Sequence, residues 1–323
     1  MSDVLYLECA SGISGDMAVA ALLDLGASEE HLRRVLSTLP VTEPYEIVIS
    51  RVKKSGLDTC DFDVVLPKEM DTHDHDMQYL YGHLQEHEKR GPVRHVQEHG
   101  IKGALKQVQE HDKHQPHTHR GPKEIASIFN ASAMSEGAKQ VALRILSVLT
   151  DAEAKAHGFM PDEVHFHEVG AVDSIVDIAS FAICFDELCQ KMQMQDVIVK
   201  EIAEGKGTVR CQHGILPVPV PAVTNIACAH HLHLHMTEVE GELITPTGAA
   251  IIAAVKTKDQ LPESMQISAV GLGAGKRDYE TAGFLRTSFA INESGMNFFR
   301  FFWIYLYDNI DVGAVLCDDA GIF

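Results

Sequence analysis

The 323-residue sequence predicts an α/β (or α+β) fold: a mixed sheet with packed helices, interrupted by a disordered His-rich insertion. Three observations predict it. Short alternating runs at 4–8, 46–53 and 60–66 have the period of half-buried strands. Apolar stripes at three- and four-residue spacing follow from Asp16, through 135–157 and from Val172, as helices require. Between 71 and 120 the composition changes abruptly and both patterns stop.

After the strand at 4–8, Ala10-Ser-Gly-Ile-Ser-Gly15 makes a tight turn into a helix that is apolar at Met17, Ala20, Ala21 and Leu25 and stops at Gly26. Free N–H groups in such a turn suit a phosphate, which makes Ser14 and Gly15 candidate cofactor contacts. Asp16 at the helix start repels an anion unless a metal lies between, and as a plain helix cap the turn needs no ligand. Ser28, Glu29 and Glu30 open a second helix toward Leu39. In the strand pair that follows, Phe62, Val64 and Leu66 share one face while Asp61 and Asp63 take the other. Residues 1–70 thus read as an α/β unit.

Ten of the nineteen histidines lie between 71 and 120, among Gln, Glu, Asp and Lys. Large apolar residues are too sparse there to offset the entropy of ordering, so 71–122 is expected to be a mobile insertion. Neutral imidazole binds Ni, Zn or Cu, and His73, His75, His117 and His119 stand as candidate ligands; the alternative is a polar linker.

Folding resumes at Pro122, with a short helix over 123–129. The long helix at 135–157 has Ala138, Val141, Ala142, Ile145, Leu149, Ala152 and Ala156 on its buried stripe, and Gly158 stops it. His157 ends that helix, where a protonated ring is favourable without any ligand.

The densest group of ionisable residues is VHFHEVGAVDSIVD at 164–177. An extended 164–168 puts Val164 and Phe166 on one face and His165 and His167 on the other. A helix starting near Val172 stacks Asp173 and Asp177 four residues apart. With Glu168, and Asp16 as a possible addition, these form a nitrogen and oxygen set suited to a divalent metal; the alternative is a capped helix after a polar strand. The helix continues through Ile175, Ile178, Ala179, Ala182 and Phe185 toward Leu188.

A strand is expected over 197–202. The prolines of Pro217-Val-Pro-Val-Pro221 impose an extended approach to another helix, with His213 in the turn before them. His230, His231, His233 and His235 make a second cluster, the last three sharing a strand face. Residues 242–248 turn into an apolar helix whose N–H groups and hydroxyls make Thr245, Thr247 and Gly248 candidate phosphate contacts. In Gly271-Leu-Gly-Ala-Gly-Lys-Arg277, Gly273, Gly275 and Lys276 read either as an anion-binding turn or as a close-packed one. Residues 123–291 form the second core. The final stretch, 292–323, holds seven aromatics between 298 and 307, too short a run to span a bilayer, and reads as a tail foreign to the preceding domain.

A net charge of -19 argues against non-specific nucleic-acid binding and favours cations as partners. The seven cysteines show no C-x-x-C spacing, so reduced thiols are expected. With no basic segment followed by an apolar stretch before Asp16, no secretory signal and no membrane association are expected, and the cytoplasm is the expected location.

With these residues assembled, the chain resembles the LarC family of nickel-insertion proteins. The resemblance rests on Ser11-Gly-Ile-Ser-Gly-Asp-Met17, the 164–177 motif, His213-Gly-Ile-Leu-Pro-Val-Pro219, Gly241-Glu-Leu-Ile-Thr-Pro-Thr-Gly248 and Gly271-Leu-Gly-Ala-Gly275, in order across 4–288, together with the His-rich insertion. It implies a nickel chelatase of the lyase class. Such an enzyme inserts Ni(II) into pyridinium-3,5-bisthiocarboxylic acid mononucleotide, forming a Ni–C and two Ni–S bonds to give the nickel-pincer cofactor of lactate racemase. CTP is consumed, with Mg or Mn. On this reading Asp16, His165, His167, Glu168, Asp173 and Asp177 hold metal, and the Gly/Thr helix starts receive the nucleotide phosphate. His165, His167 or Glu168 takes the proton lost from carbon. Lactate racemase apoprotein is a possible partner, and self-association stays open. Family members usually continue into a further domain that resembles the seat of metal–CTP binding, in some through ribosomal frameshifting, and the aromatic tail fits an unshifted product that binds nickel without insertase activity of its own. Two other readings are a nickel storage or delivery protein and a divalent-metal-dependent phosphohydrolase.

Overall fold

The computed structural model describes residues 3–67, 120–166, 172–211 and 213–291. His73, His75, His117 and His119, the His-rich insertion, His167, Glu168 and the aromatic tail lie outside the described residues.

In chain order the elements are β1 (Asp3–Glu8), α1 (Gly15–Leu25), α2 (Glu29–Leu36), β2 (Glu46–Lys54), β3 (Leu57–Val65), α3 (Pro122–Ala131) and α4 (Glu136–His157). After a short 3-10 turn at Pro161–Glu163 come α5 (Val172–Met192), β4 (Met194–Ile198), β5 (Ile202–Lys206), β6 (Thr208–Cys211) and β7 (Gly214–Pro217). The last are α6 (Pro221–His230), β8 (Leu234–Glu240), α7 (Pro246–Val255), β9 (Gln266–Ala274) and β10 (Phe284–Ile291). Local chemistry sets these boundaries. Ser28 and Ser135 accept backbone N–H groups as helix caps, Pro122, Pro221 and Pro246 occupy first turns, and Gly26 and Gly158 end α1 and α4 in the left-handed region.

The main sheet is six-stranded, in the order β2-β3-β9-β10-β1-β4. β1 pairs parallel with β4 and β3 with β9, whereas β10 runs antiparallel to both β1 and β9. Hence β1, β3, β4 and β9 point the same way, and their carboxyl ends share one edge. This confirms the mixed α/β fold. The sheet draws strands from both 1–70 and 123–291. Two small sheets, β5-β8 and β6-β7, flank it.

Helix α1 lies against β9, β3 and β10, α5 packs against α1, and α4 crosses α3, α5, α6 and α7. Phe62, Phe129 and Phe181 are fully buried in the core, each contributing about 1.5–3 kcal/mol by burial. The contact of α1 with β9 is unusually close. A Cβ on Gly273 would lie 2.0 Å from the Met17 carbonyl oxygen, and one on Gly271 would lie 2.2 Å from that of Ala21. Thr287 of β10 reaches the same helix, its hydroxyl donating to the Ala21 carbonyl at 3.3 Å.

Several expectations are corrected. The glycine-rich turn at 271–275 is largely strand, because Gly271 and Gly273 serve the approach of α1. The single strand at 197–202 is two, β4 and β5, in different sheets. Val164–Phe166 is extended but joins no sheet; Phe166 N–H bonds the Arg120 carbonyl at 3.3 Å instead. His231 caps α6 with φ 52° and β8 begins only at Leu234, so His231, His233 and His235 share no strand face. Ala156 is exposed, while Leu146, Val148 and Ala154 join Ala138, Ala142, Ile145, Leu149 and Ala152 on the buried stripe of α4. Among the described residues no helix is long and apolar enough to cross a membrane.

Gly273→Val drives a branched side chain into the α1 backbone. Urea denaturation should show a loss of about 3 kcal/mol or more, and a change under about 0.5 kcal/mol would contradict the close approach.

Candidate functional site: an acidic cluster at the sheet edge

The carboxyl ends of parallel strands, next to helix N-termini, are where α/β sheets bind ligands. Here β1 leaves the sheet at Glu8 and Cys9–Ser14 loops over the edge into α1. The loop is held by backbone pairing with the segment before α7: Ile13 N–H donates to Leu243 O at 3.0 Å, and Thr245 N–H donates to Ile13 O at 3.1 Å. Glycine is required on both sides. Gly12 has φ 81° and no room for a Cβ, which would sit 2.0 Å from Leu243 O, and a Cβ on Gly248 would sit 2.2 Å from Ile13 O.

Below this clamp is Glu204, which is buried. Its Oε1 accepts N–H groups from Gly205 at 2.8 Å, Leu243 at 2.8 Å and Ile244 at 3.3 Å. Burial raises its pKa against the opposing effect of those three donors, and Oε2 has no hydrogen-bond partner among the described residues. A carboxyl group so placed fixes the 243–244 backbone, and through it the Cys9–Ser14 loop.

The loop delivers Asp16 into the first turn of α1, where the Ser14 hydroxyl donates to its carboxylate. Gly15 faces Asp177: a Cβ there would come within 2.6 Å of Asp177 Oδ2. Asp173 and Asp177 occupy successive turns at the start of α5, as the four-residue spacing predicts. Burial raises the pKa of Asp16, with the Ser14 hydrogen bond and Lys276 opposing. Asp177 is raised well above the ordinary carboxylate range, by burial first and then by the charges of Asp16 and Asp173. Lys276 counters them from the end of β9. Its ammonium sits 2.8 Å from Asp61 and 3.5 Å from Asp63, and despite burial these carboxylates raise its pKa, so it stays charged.

Asp16, Asp61, Asp63 and Asp177 therefore gather around Lys276, with Asp173 beside Asp177 and the positive ends of α1 and α5 directed at them. Such a surplus of carboxylate oxygen attracts a cation. Among the described residues no group of three or more His, Cys, Asp or Glu is placed so that it could hold a metal ion as it stands. His165 is exposed between the buried Val164 and Phe166, and His167 and Glu168 lie outside the described residues.

The phosphate candidates separate by position. Ser14, Gly15 and Lys276 border the cluster. The Thr245 hydroxyl instead accepts Gly248 N–H at 3.1 Å as the cap of α7, Thr247 is buried, and Gly248 is pressed against the loop. Gly273 lies under α1, and Gly275 N–H is bonded to Gly283 O at 2.9 Å. Glu204, Asp61 and Asp63 are site residues that the motifs miss. The alternation of Asp61 and Asp63 opposite Phe62 and Val64 is the signal for the latter two.

The sequence matches the family described as "Nickel insertion protein" over residues 5–311. A protein of Alkaliphilus metalliredigens named "Pyridinium-3,5-bisthiocarboxylic acid mononucleotide nickel insertion protein" is 48% identical over 287 residues, covering 88% of this chain and 60% of its own length. One of the same name from Clostridium acetobutylicum is 40% identical over 291 residues (90% of this chain, 64% of its own). Another, from Akkermansia muciniphila, is 36% identical over 273 residues (84% and 56%). The chain thus spans 56–64% of the length of these relatives. No solved structure matches.

Two measurements check the site. The folded protein retains a proton on Asp177 that the unfolded chain has released, so this group lowers stability as pH rises from the ordinary Asp range, near 4, through its raised pKa. Asp177→Asn removes that loss. Its thermal midpoint should exceed that of the unaltered protein at pH 8, and the gap should close toward pH 4; equal midpoints at both would contradict the cluster. Glu204→Ala strands three buried N–H groups and should cost about 3–5 kcal/mol in denaturant unfolding, whereas Glu204→Gln keeps the acceptor and should stay within about 1 kcal/mol.

Proposed function

The chain belongs to the nickel insertion protein family, and from that membership we propose that it takes Ni(II) as a substrate and passes it to pyridinium-3,5-bisthiocarboxylic acid mononucleotide, the compound its relatives are named for. The observation that carries this reading is the convergence of Asp16, Asp173 and Asp177, whose mutual repulsion a divalent cation relieves. Carboxylates whose proton affinity is raised, as at Asp16 and Asp177, exchange a proton for the metal, so binding strengthens as pH rises.

Oxygen ligands hold a borderline ion such as Ni(II) less firmly than sulfur does. A substrate presenting two thiocarboxylate sulfurs therefore draws the metal away from the aspartates. The Ni–C bond replaces a C–H bond, and that proton needs an acceptor. Asp177 regains its raised proton affinity as the cation leaves, which makes it a base coupled to metal departure. His165, His167 and Glu168 remain proposed participants, the last two lying beyond the described residues. Ser14, Gly15 and Lys276 are the groups proposed for the mononucleotide phosphate. CTP use with Mg or Mn, supply of product to lactate racemase, lyase classification, self-association and a cytoplasmic location belong to this proposal as well.

The test incubates the chain with Ni(II), CTP and the bisthiocarboxylate mononucleotide and follows nickel-bearing product by mass. Product formed by the unaltered chain supports insertion. Asp177→Asn should lower its rate by about 100-fold, in the range for loss of a general base, and weaken nickel retention as well. Nickel retained with no product would replace insertion by storage or delivery; phosphate released with Mg and no nickel would indicate a hydrolase.

A further inference from the structure

The end of α4 and the turn between β6 and β7 bring together two histidines that take no part in the acidic cluster. The His157 and His213 ring centroids are 4.9 Å apart, with their planes at 53°. Glu153, one helical turn before His157, places Oε2 3.5 Å from His157 Nε2, and Phe159 stacks on the His157 ring at 6.0 Å and 13°.

We propose that His157 and His213 form a two-imidazole site for a borderline divalent cation of the Ni(II) or Zn(II) class. The separation fits. Imidazole nitrogens bond such ions at about 2.0–2.1 Å, which puts each ring centre roughly 3.2 Å from the metal and two cis rings about 4.5–5.2 Å apart. A tilted pair suits shared coordination, whereas parallel stacking at this distance would not.

Two further features point the same way. A carboxylate against one ring nitrogen orients a metal-bound imidazole through its other nitrogen, and Glu153 occupies that place on His157. His157 is also the last residue of the 22-residue α4, whose negative dipole end favours a cation. Two protein ligands leave the remaining positions to water or an incoming donor, so the site is open and exchanges its metal readily. Imidazole prefers Ni(II) and Zn(II) to Mg(II), a selectivity that carboxylates alone do not supply. The site differs in its ligands from the acidic cluster and does not rest on the insertion reading.

The experiment is histidine carbethoxylation by diethylpyrocarbonate on the full chain, with each histidine-containing peptide quantified by mass spectrometry without metal, with Ni(II), and with Mg(II). At nickel nine times the dissociation constant, His157 and His213 should each react about tenfold more slowly, with one common nickel dependence. Mg(II) should protect neither. Exposed His230 serves as an internal reference. His213→Ala should abolish nickel protection of His157 while circular dichroism and the thermal midpoint stay unchanged, and Glu153→Gln should raise the nickel concentration needed by about tenfold. Unprotected histidines in excess nickel, equal protection by Mg(II), or His157 still protected in His213→Ala would each overturn the proposal. A negative insertion assay would leave these outcomes untouched.

Discussion

Helix α1 rests on strand β9 backbone to backbone, and the positions of the functional groups follow from that contact. Gly271 and Gly273 have no side chain to hold the helix off, so the Met17 and Ala21 carbonyls come within 2.0–2.2 Å of where their Cβ atoms would be. An ordinary side chain at either position would raise α1 and carry Asp16 away from α5. The same economy of space recurs at the helix start, where Gly12 and Gly248 let the Cys9–Ser14 loop and the segment before α7 pair directly. Glycine here serves close approach between elements, with flexibility of the loop playing little part.

What this packing holds together is electrostatically unfavourable by itself. Carboxylates on α1, α5 and β3 face one another at the sheet edge, with Lys276 as their counter-charge and two helix N-termini adding partial positive charge. The fold keeps them close because the cores on either side are apolar and rigid: α1 and α5 are buried along most of their length. On the proposed function a divalent cation relieves this repulsion. The imidazole pair at the end of α4 offers a softer donor set.

Much of the fold was legible in the sequence. The capping residues Ser28 and Ser135, the terminating glycines Gly26 and Gly158 and the apolar stripes of α1 and α5 mark their elements because these signals are local. Residues 197–202 misled because β4 and β5 are separated only by Val199, Lys200 and Glu201, a change of sheet without Gly or Pro to mark it. The Gly271–Gly275 run stayed open between close packing and anion binding because a glycine packed beneath a helix and a glycine approaching a phosphate leave the same mark in a sequence. Of the site, the Asp173–Asp177 spacing was readable from helical periodicity alone, and Ser14, Gly15 and Asp16 from a turn before a helix.

The sequence by itself determined the element types, the family to which the chain belongs and an excess of carboxylate over basic side chains. Tertiary structure alone decided which of those carboxylates meet. Asp61 and Asp63 join Asp16 and Asp177 only because β3 pairs with β9, whose end carries Lys276. Likewise, nothing local relates His157 to His213, 56 positions apart, until α4 and the β6–β7 turn come together. Hydrophobic periodicity and capping act over one or two turns of chain and can be read in one dimension. Convergence of charge depends on strand order and on how closely backbones approach, and those are settled only when the whole core packs.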